Sequence, residues 1–170
     1  MQQRLYLVLL GGKHAKANVE VHDVIPVVTH RLDDCYEYLK NQWFGLKKGL
    51  HVDGWMQVNG VNYNGKSYRI EFTDQAEINP TLKLFFINLG AYLPDQFGEI
   101  HKYVVVAGHS VAEAKAQGKL AIEKAWFKPH TDAIVDVDAC ILLQQIEGQY
   151  IRLVEDDYPA NSFMNDYIVI

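Results

Sequence analysis

Residues 4–12 read Arg-Leu-Tyr-Leu-Val-Leu-Leu-Gly-Gly, and residues 83–91 read Lys-Leu-Phe-Phe-Ile-Asn-Leu-Gly-Ala. Each stretch is a run of aliphatic and aromatic residues that ends at a glycine, a pattern that predicts a β-strand followed by a tight exit. The two stretches align at a distance of 79 positions, which places Gly11 on Gly90. This self-similarity indicates an internal repeat, and a repeat decides the architecture of a chain.

The repeat continues beyond these first strands. The aligned pairs are Glu20 with Glu99, His22 with His101, Val27 with Val106, His30 with His109, Trp43 with Trp126, His51 with His130, and Asp53 with Asp132. The distance is 79 positions except at the tryptophans, where it is 83. Four extra residues are about one helical turn, so the buried face of a helix is preserved. We predict one repeat over residues 4–74 and a second over residues 83–156.

The residue patterns predict an α+β fold made of two tandem β-β-α-β-β repeats. In the first repeat we expect strands over residues 4–10, 20–29, 51–58 and 67–72, and a helix over residues 32–44. Pro26 suggests that the second strand lies at an edge or carries a bulge. Ser110 and Glu113 form a capping box at the start of the second helix. Each antiparallel sheet would pack one helix, the two units would form a pseudo-twofold pair, and residues 157–170 would add a C-terminal strand.

Composition excludes several classes of protein. The 170 residues include 16 Lys or Arg and 21 Asp or Glu, a net charge of −5, and no cationic cluster beyond Lys47-Lys48. Nucleic-acid binding needs clustered positive charge, so we expect none. The longest apolar runs are far shorter than the roughly 20 residues of a membrane span. Cys35 and Cys140 lack metal-ligand spacing and predict buried free thiols, which fits a cytoplasmic protein.

The candidate functional residues are the polar residues that occur in both repeats. Glu20 and His22 lie two apart on a strand and share a face, as do His51 and Asp53. If these strands approach each other, two imidazoles and two carboxylates form a cluster that suits a divalent metal or general acid–base chemistry. The second repeat offers Glu99, His101, His130 and Asp132. The alternative is a structural role, in which the same groups hydrogen-bond across strands or satisfy loop backbone.

Other conspicuous residues favour structural roles. His30 and His109 precede helices, where capping or packing is the usual role, and the Trp43-Phe44 and Trp126-Phe127 pairs are predicted core anchors at helix ends. Gly11-Gly12-Lys13 lacks the frame of a phosphate-binding loop, and no serine-nucleophile elbow is present. We therefore predict no bound cofactor.

The pattern also resembles a known family. Leu5-Tyr-Leu-Val-Leu-Leu-Gly-Gly, Glu20-Val-His22-Asp23, Gln42-Trp-Phe44-Gly45 and His51-Val-Asp53-Gly-Trp55 are similar to a small bacterial family catalogued as domain of unknown function fifteen-forty-three. The resemblance covers both halves, and the second departs from it at Ala91, Lys102 and Ile134. It implies a bacterial cytoplasmic protein, with one or two copies of the domain, and no catalytic residue.

Three functions remain open from the sequence. The first is a non-enzymatic binding or regulatory module that holds a small ligand or a protein partner at the inter-repeat cleft or a sheet edge, because such interfaces favour ligand sites. The second is a metal-dependent hydrolase that uses Glu20, His22, His51 and Asp53. The third is a structural or assembly protein that uses its aromatic surface and its apolar end, and we also expect a homodimer formed by exposed sheet edges. We expect binding rather than catalysis, because no complete catalytic set is present.

Overall fold

A computed structural model describes residues 2–76, 80–92, 96–123 and 135–170. These residues form antiparallel sheets with two α-helices, so the predicted α+β class is confirmed. The first half contains β1 (Arg4–Gly12), β2 (Val21–Thr29), a 3-10 helix (Leu32–Cys35), α1 (Tyr36–Gln42), β3 (His51–Val58), β4 (Gly60–Tyr63) and β5 (Lys66–Thr73). The second half contains β6 (Lys83–Tyr92), β7 (Glu99–Gly108), α2 (Val111–Glu123), β8 (Val135–Leu142), β9 (Gln145–Ile146), β10 (Gln149–Glu155) and β11 (Ser162–Val169).

The first sheet has the strand order β11-β3-β1-β2. β1 lies between β3 and β2 and is buried along most of its length, which explains its nearly continuous apolar sequence. β2 is an edge strand, and Pro26 lies opposite Leu7, as expected for a residue that cannot donate a ladder hydrogen bond. The prediction of an edge position from Pro26 is confirmed.

One face of this sheet carries the core of the first half. Alternate residues of β1 share a face, and those at even positions pack with side chains from α1 and from the residue that follows it. The buried members of this cluster are Tyr6, Val8, Leu10, Ile25, Val27, Cys35, Leu39, Trp43, Leu50 and Val52. Gly11 has the opposite parity, so it lies on the other face of the sheet.

β11 completes the first sheet by pairing antiparallel with β3. Its Ile168 and the following Ile170 pack against the core cluster, and the backbone N–H of Ile170 donates to the carbonyl of Leu50 over 3.1 Å. β11 carries one extra residue in this ladder. Asn165 pairs with Gly54 and Ile168 with Val52, so two residues, Asp166 and Tyr167, lie opposite Asp53 alone. This is a β-bulge, which changes the direction of nearby side chains.

A second sheet has the order β7-β6-β8, with α2 packed against it. Its core consists of Phe85, Ile87, Leu89, Val106 and Ala114. The predicted cap of α2 forms at Ser110, but Glu113 reaches back to the N–H of His109 rather than to that of Ser110. The backbone N–H of Glu113 donates to Ser110 Oγ over 3.2 Å, and the backbone N–H of His109 donates to Glu113 Oε2 over 2.7 Å.

A third sheet, in the order β4-β5-β10-β9, adds strands that the sequence pattern did not predict. Two-residue turns join β4 to β5 and β9 to β10. Asn64 and Gly65 have φ of 49° and 78°, and Glu147 and Gly148 have φ of 49° and 85°. Paired positive φ values match the twist of a tight hairpin. The predicted strand over residues 67–72 is therefore one arm of a hairpin.

The region predicted as one helix over residues 32–44 is also different. It begins as a 3-10 helix, and α1 ends at Gln42. Trp43 is 6% exposed and belongs to the core, but Phe44 is 54% exposed, so its predicted role as a core anchor is wrong. The backbone becomes extended at Trp43, so the side chains of Trp43 and Phe44 point in different directions. Trp126 and Phe127 lie outside the described residues.

The chain divides into two compact units that interleave along the sequence. One consists of Met1–Gly60, Ile146–Gln149 and Tyr158–Ile170, and the other of Val61–Gln145 and Tyr150–Asp157. In the described part of the chain, no helix is long and apolar enough to cross a membrane.

Both cysteines are free thiols, but they differ in burial. Cys35 is 4% exposed, whereas Cys140 is only partly buried, so the prediction of two fully buried thiols is wrong for Cys140. Burial, together with the nearby charge of Glu147, raises the pKa of the Cys35 thiol to about 12. Cys35 Sγ donates to the carbonyl of Leu32 over 2.9 Å.

We predict that iodoacetamide at pH 8 modifies Cys140 and leaves Cys35 intact in the folded protein. Only about 1 in 10,000 thiols with a pKa of about 12 is ionised at this pH, and the thiolate is the reactive form. Mass spectrometry would count the adducts, with Cys140→Ser as the matched variant that should remain unmodified until urea is added. Native modification of Cys35 at a rate similar to that of Cys140 would contradict the buried position.

Candidate functional site

Four predicted residues of the first repeat converge at one end of the first sheet. Glu20 immediately precedes β2, His22 lies in β2, and His51 and Asp53 lie in β3. His51 Nε2 is 3.0 Å from Glu20 Oε1 and 3.3 Å from Asp53 Oδ1. His22 Nε2 is 3.3 Å from both Glu20 Oε1 and Asp53 Oδ2. We call these four residues the first cluster.

The first cluster forms across a central strand. β2 and β3 are not neighbours, because β1 lies between them and Gly11 faces His22 on one side and His51 on the other. A Cβ atom on Gly11 would lie 2.6 Å from His51 Nε2 and 2.7 Å from Glu20 Oε1. Real Cβ atoms do not approach polar atoms this closely, so the missing side chain at Gly11 provides the space in which the donors meet.

A β-bulge places Asp53 in the cluster. In the ladder between β1 and β3, Leu10 pairs with Val52 and Leu9 pairs with Gly54, so Asp53 is an extra residue without a partner on β1. Bulges often occur beside functional sites, where they redirect a side chain. Here the bulge brings a carboxylate beside the His51 ring.

His51 is the best-positioned group in the first cluster. Its side chain is 2% exposed, and its Nδ1 lies 2.9 Å from the carbonyl oxygen of Gly49. A carbonyl oxygen only accepts, so Nδ1 carries the hydrogen. In the neutral ring, Nε2 then presents a lone pair to the carboxylates of Glu20 and Asp53. A histidine held in this way by a backbone carbonyl is typical of metal ligands.

Asp53 carries an oxygen without a hydrogen-bond donor. Its Oδ2 is buried and makes no hydrogen bond within the described residues. His22 Nε2 is near this oxygen at 3.3 Å, but the pair satisfies only the distance of an ion pair and not the geometry of a hydrogen bond. A buried acceptor without a donor is costly, and either a water molecule or a cation beside it would remove this cost.

Tyr167 of β11 covers His51. The two rings lie 4.2 Å apart between centroids at an angle of 33°. The bulge in β11 gives Tyr167 this position, and Tyr167 itself stays 65% exposed. The tyrosine ring therefore shields one side of the buried imidazole, and the sequence analysis did not identify it.

A second cluster forms in the other half from Glu99, His101 and Asp138. His101 Nδ1 is 3.1 Å from Asp138 Oδ2, and one ligand atom from each residue lies within 4.8 Å of the others. Gly90 lies beneath it as Gly11 lies beneath the first cluster, since a Cβ there would be 2.6 Å from Asp138 Oδ2. Sequence reasoning identified Glu99 and His101 and missed Asp138.

The predicted partners His130 and Asp132 lie outside the described residues, and the strand pairing gives His51 a different counterpart. Gly11 pairs with His51, whereas Gly90 pairs with Asp136. The structural counterpart of His51-Val-Asp53 is therefore Asp136-Val-Asp138, at a distance of 136 − 51 = 85 positions rather than 79. The shared Val-Asp step, followed by a small residue, was the available signal, but the His-x-Asp match concealed it.

The donor separations of the first cluster match a metal centre. Ligand atoms at about 2.0–2.2 Å from a tetrahedral ion lie about 3.3–3.6 Å from one another, and those around an octahedral ion lie about 3 Å apart. The distances of 3.0 Å and 3.3 Å within the first cluster are close to these values. The ligand atoms of Glu20, His51 and Asp53 all lie within 4.8 Å of one another.

The chain is similar to a protein family and to a solved structure. Residues 17–72 match the family described as Domain of Unknown Function (DUF1543), a span that contains all four residues of the first cluster. The crystal structure of a protein Il1583 from Idiomarina loihiensis is similar, with a TM-score of 0.73 and 27% identity over 98% of this chain and 97% of that chain. No curated protein matches. The predicted family resemblance is thus confirmed for the first half, and a second copy of the domain stays a prediction.

We predict that Gly11→Ala destabilises the protein by about 1–3 kcal/mol, the usual cost of overpacking. The new methyl group would collide with the buried His51 ring, which has nowhere to move. Gly90→Ala is the matched control, since the atoms above Gly90 belong to partly exposed carboxylates that can turn towards solvent. It should change stability by less than about 0.5 kcal/mol. Urea unfolding would measure both, and equal losses would contradict the difference between the clusters.

Proposed function

We propose that this protein is a divalent metal-binding module and that Glu20, His22, His51 and Asp53 hold the ion. The observation that most directly supports this proposal is the position of His51 Nε2, which is buried and lies 3.0 Å and 3.3 Å from two carboxylate oxygens. The metal is the small ligand in this proposal, and the first sheet rather than a cleft between repeats supplies the site.

Charge balance supports a cation at this position. Two carboxylates and two neutral imidazoles sum to a charge of −2, which one divalent ion neutralises. A proton on His51 would satisfy Glu20 or Asp53 but would leave Asp53 Oδ2 without a donor. Leaving a buried polar atom unpaired costs about 1–3 kcal/mol, so a bound ion accounts for the arrangement more completely.

The donor types select the class of metal. Imidazole nitrogen and carboxylate oxygen suit Zn²⁺, Mn²⁺ and Fe²⁺, and the absence of sulfur in the first cluster disfavours soft ions. Glu20, His51 and Asp53 already place their ligand atoms together, and His22 Nε2, 3.3 Å from a carboxylate oxygen of Glu20 and of Asp53, would be the fourth donor to a tetrahedral ion such as Zn²⁺. Catalytic zinc sites keep a position open, so a full set of four donors favours binding over catalysis.

The solvent exposure of two residues in the first cluster supports the alternative function, a metal-dependent hydrolase. Glu20 and His22 are 45% and 47% exposed, whereas His51 and Asp53 are more buried. If one exposed donor leaves the ion, a water molecule takes its place and can become a nucleophile. The Zn²⁺-loaded protein would then hydrolyse p-nitrophenyl acetate or p-nitrophenyl phosphate. Loss of this activity in His51→Ala would favour the hydrolase over simple binding.

We also propose that the chain arose by duplication of one unit. β1 lies between β2 and β3 as β6 lies between β7 and β8, and Asp53 and Asp138 are extra residues at the same place in their strands. The hairpin turns at Gly65 and Gly148 have similar φ values. Each of these matches is local and concerns backbone pairing, which supports common descent more directly than composition does.

The assembly alternative is supported by β11, which is an edge strand with a row of exposed apolar side chains. Phe163, Met164, Tyr167 and Val169 are each more than half exposed. An exposed apolar edge is a pairing surface, so a homodimer stays a prediction. Two free thiols are in keeping with the cytoplasmic location that we propose.

We predict that the protein, freed of metal with a chelator, binds one Zn²⁺ tightly and that His51→Ala weakens this binding more than about 100-fold. Changes outside the direct ligands typically cost 10–100-fold, so loss of a direct ligand should cost more. Titration calorimetry would measure affinity, and circular dichroism would verify the fold. Glu20→Gln provides a second variant with less risk of unfolding, because Glu20 is half exposed.

His30→Ala is the matched control, since this exposed histidine lies outside both clusters. It should bind Zn²⁺ as the wild type does. The proposal fails if wild-type protein takes up no Zn²⁺, Mn²⁺ or Fe²⁺, or if His51→Ala and Glu20→Gln bind them unchanged.

A further inference from the structure

We infer that Glu99, His101 and Asp138 form a second cation site, weaker than the first and suited to a hard, partly hydrated ion such as Mn²⁺. The inference extends the proposed function, but its geometry stands on its own residues. The second cluster lies on the β7-β6-β8 sheet, where the carboxylates of Glu99 and Asp138 occupy the space that a side chain at Gly90 would fill.

The backbone builds this site in the same way as the first. β6 is the central strand, Glu99 is the first residue of β7, and Asp138 is the extra residue where the β6–β8 ladder shifts between Asn88 and Leu89. His101 lies opposite Gly90 on β7, just as His22 lies opposite Gly11 on β2. Three donors therefore reach one point across a strand that carries no side chain there.

The two sites differ at one decisive position. Asp136 stands where the first half has His51, and it does not join the second cluster. Its Oδ1 accepts from the backbone N–H of Val137 over 2.7 Å and lies 3.3 Å from Lys119 Nζ. The buried imidazole of the first site thus has no equivalent, and one nitrogen and two carboxylates remain.

This donor set determines the class of ion. Oxygen-rich sites with a single imidazole suit Mn²⁺ and other hard cations, which keep bound water to complete an octahedral shell. His101 and Asp138 are 41% and 30% exposed, so water can reach the ion. Exposure also weakens the attraction between ion and carboxylates, since a higher dielectric reduces their interaction energy.

A polar residue lies on the same face of the central strand as this cluster. Asn88 lies two residues before Gly90 on the same face of β6, and its Oδ1 is buried without a hydrogen-bond donor. The corresponding residue of the first repeat is the apolar Leu9. An amide oxygen without a donor can accept from a water molecule, and bound water completes the shell of a hard cation.

The test counts Mn²⁺ ions on chelator-treated protein by electron paramagnetic resonance and titration calorimetry. Wild type should bind two Mn²⁺ per chain, with affinities at least 10-fold apart. Asp138→Asn and His101→Ala should each remove the weaker ion and keep the tighter one, whereas Asp157→Asn, at an exposed turn residue, should keep both. His51→Ala should show the reverse pattern.

Each outcome decides one claim. A single Mn²⁺ in wild type that survives Asp138→Asn and His101→Ala overturns the second site and leaves the first intact. A single Mn²⁺ that survives His51→Ala but is lost in Asp138→Asn overturns the first site and supports the second. Two ions that both persist in Asp138→Asn and His101→Ala place the weaker ion elsewhere and overturn the inference.

Discussion

The missing side chain at Gly11 is the constraint on which the candidate site depends. Strands on either side of a central strand lie about 10 Å apart, too far for short polar side chains to meet over an ordinary residue. Above a glycine, side chains from the two flanking strands can approach each other. Here a glutamate, two histidines and an aspartate meet in this way above Gly11. From Leu5 to Leu10 the same central strand is apolar and mostly buried, so its packing fixes the positions of both neighbours.

Much of this arrangement could be predicted from the residues. Strand periodicity places Glu20 with His22 and His51 with Asp53, and repetition within the chain separated these polar residues from ordinary surface ones. The α+β class, the edge position of β2 and the cap of α2 followed from local patterns whose physical causes act over a few residues. The interleaving of the two compact units did not, because it depends on long-range contacts.

Register is where sequence reasoning failed. A bulge adds one residue to a ladder without leaving a composition signal, and the Val-Asp step shared by the two halves is a weaker signal than an exact His-x-Asp match. The exact His-x-Asp match at His130 was therefore preferred over the true counterpart at Asp136. The hairpin of β4 and β5 had a signal in Asn64-Gly65, a pair that favours tight turns. No sequence signal indicated that the Phe44 side chain is exposed, because its direction follows from the extended backbone at Trp43.

If the proposed ion binds, the uneven burial of its four ligands would affect how it exchanges. His51 and Asp53 form a fixed inner pair, with the ring clamped between the Gly49 carbonyl and the Tyr167 phenol ring, while Glu20 and His22 stand nearer to solvent. An ion would arrive and depart through the outer pair, one bond at a time, without any movement of the sheet. Such a centre would bind its ion tightly at equilibrium and still release it rapidly to a competing chelator.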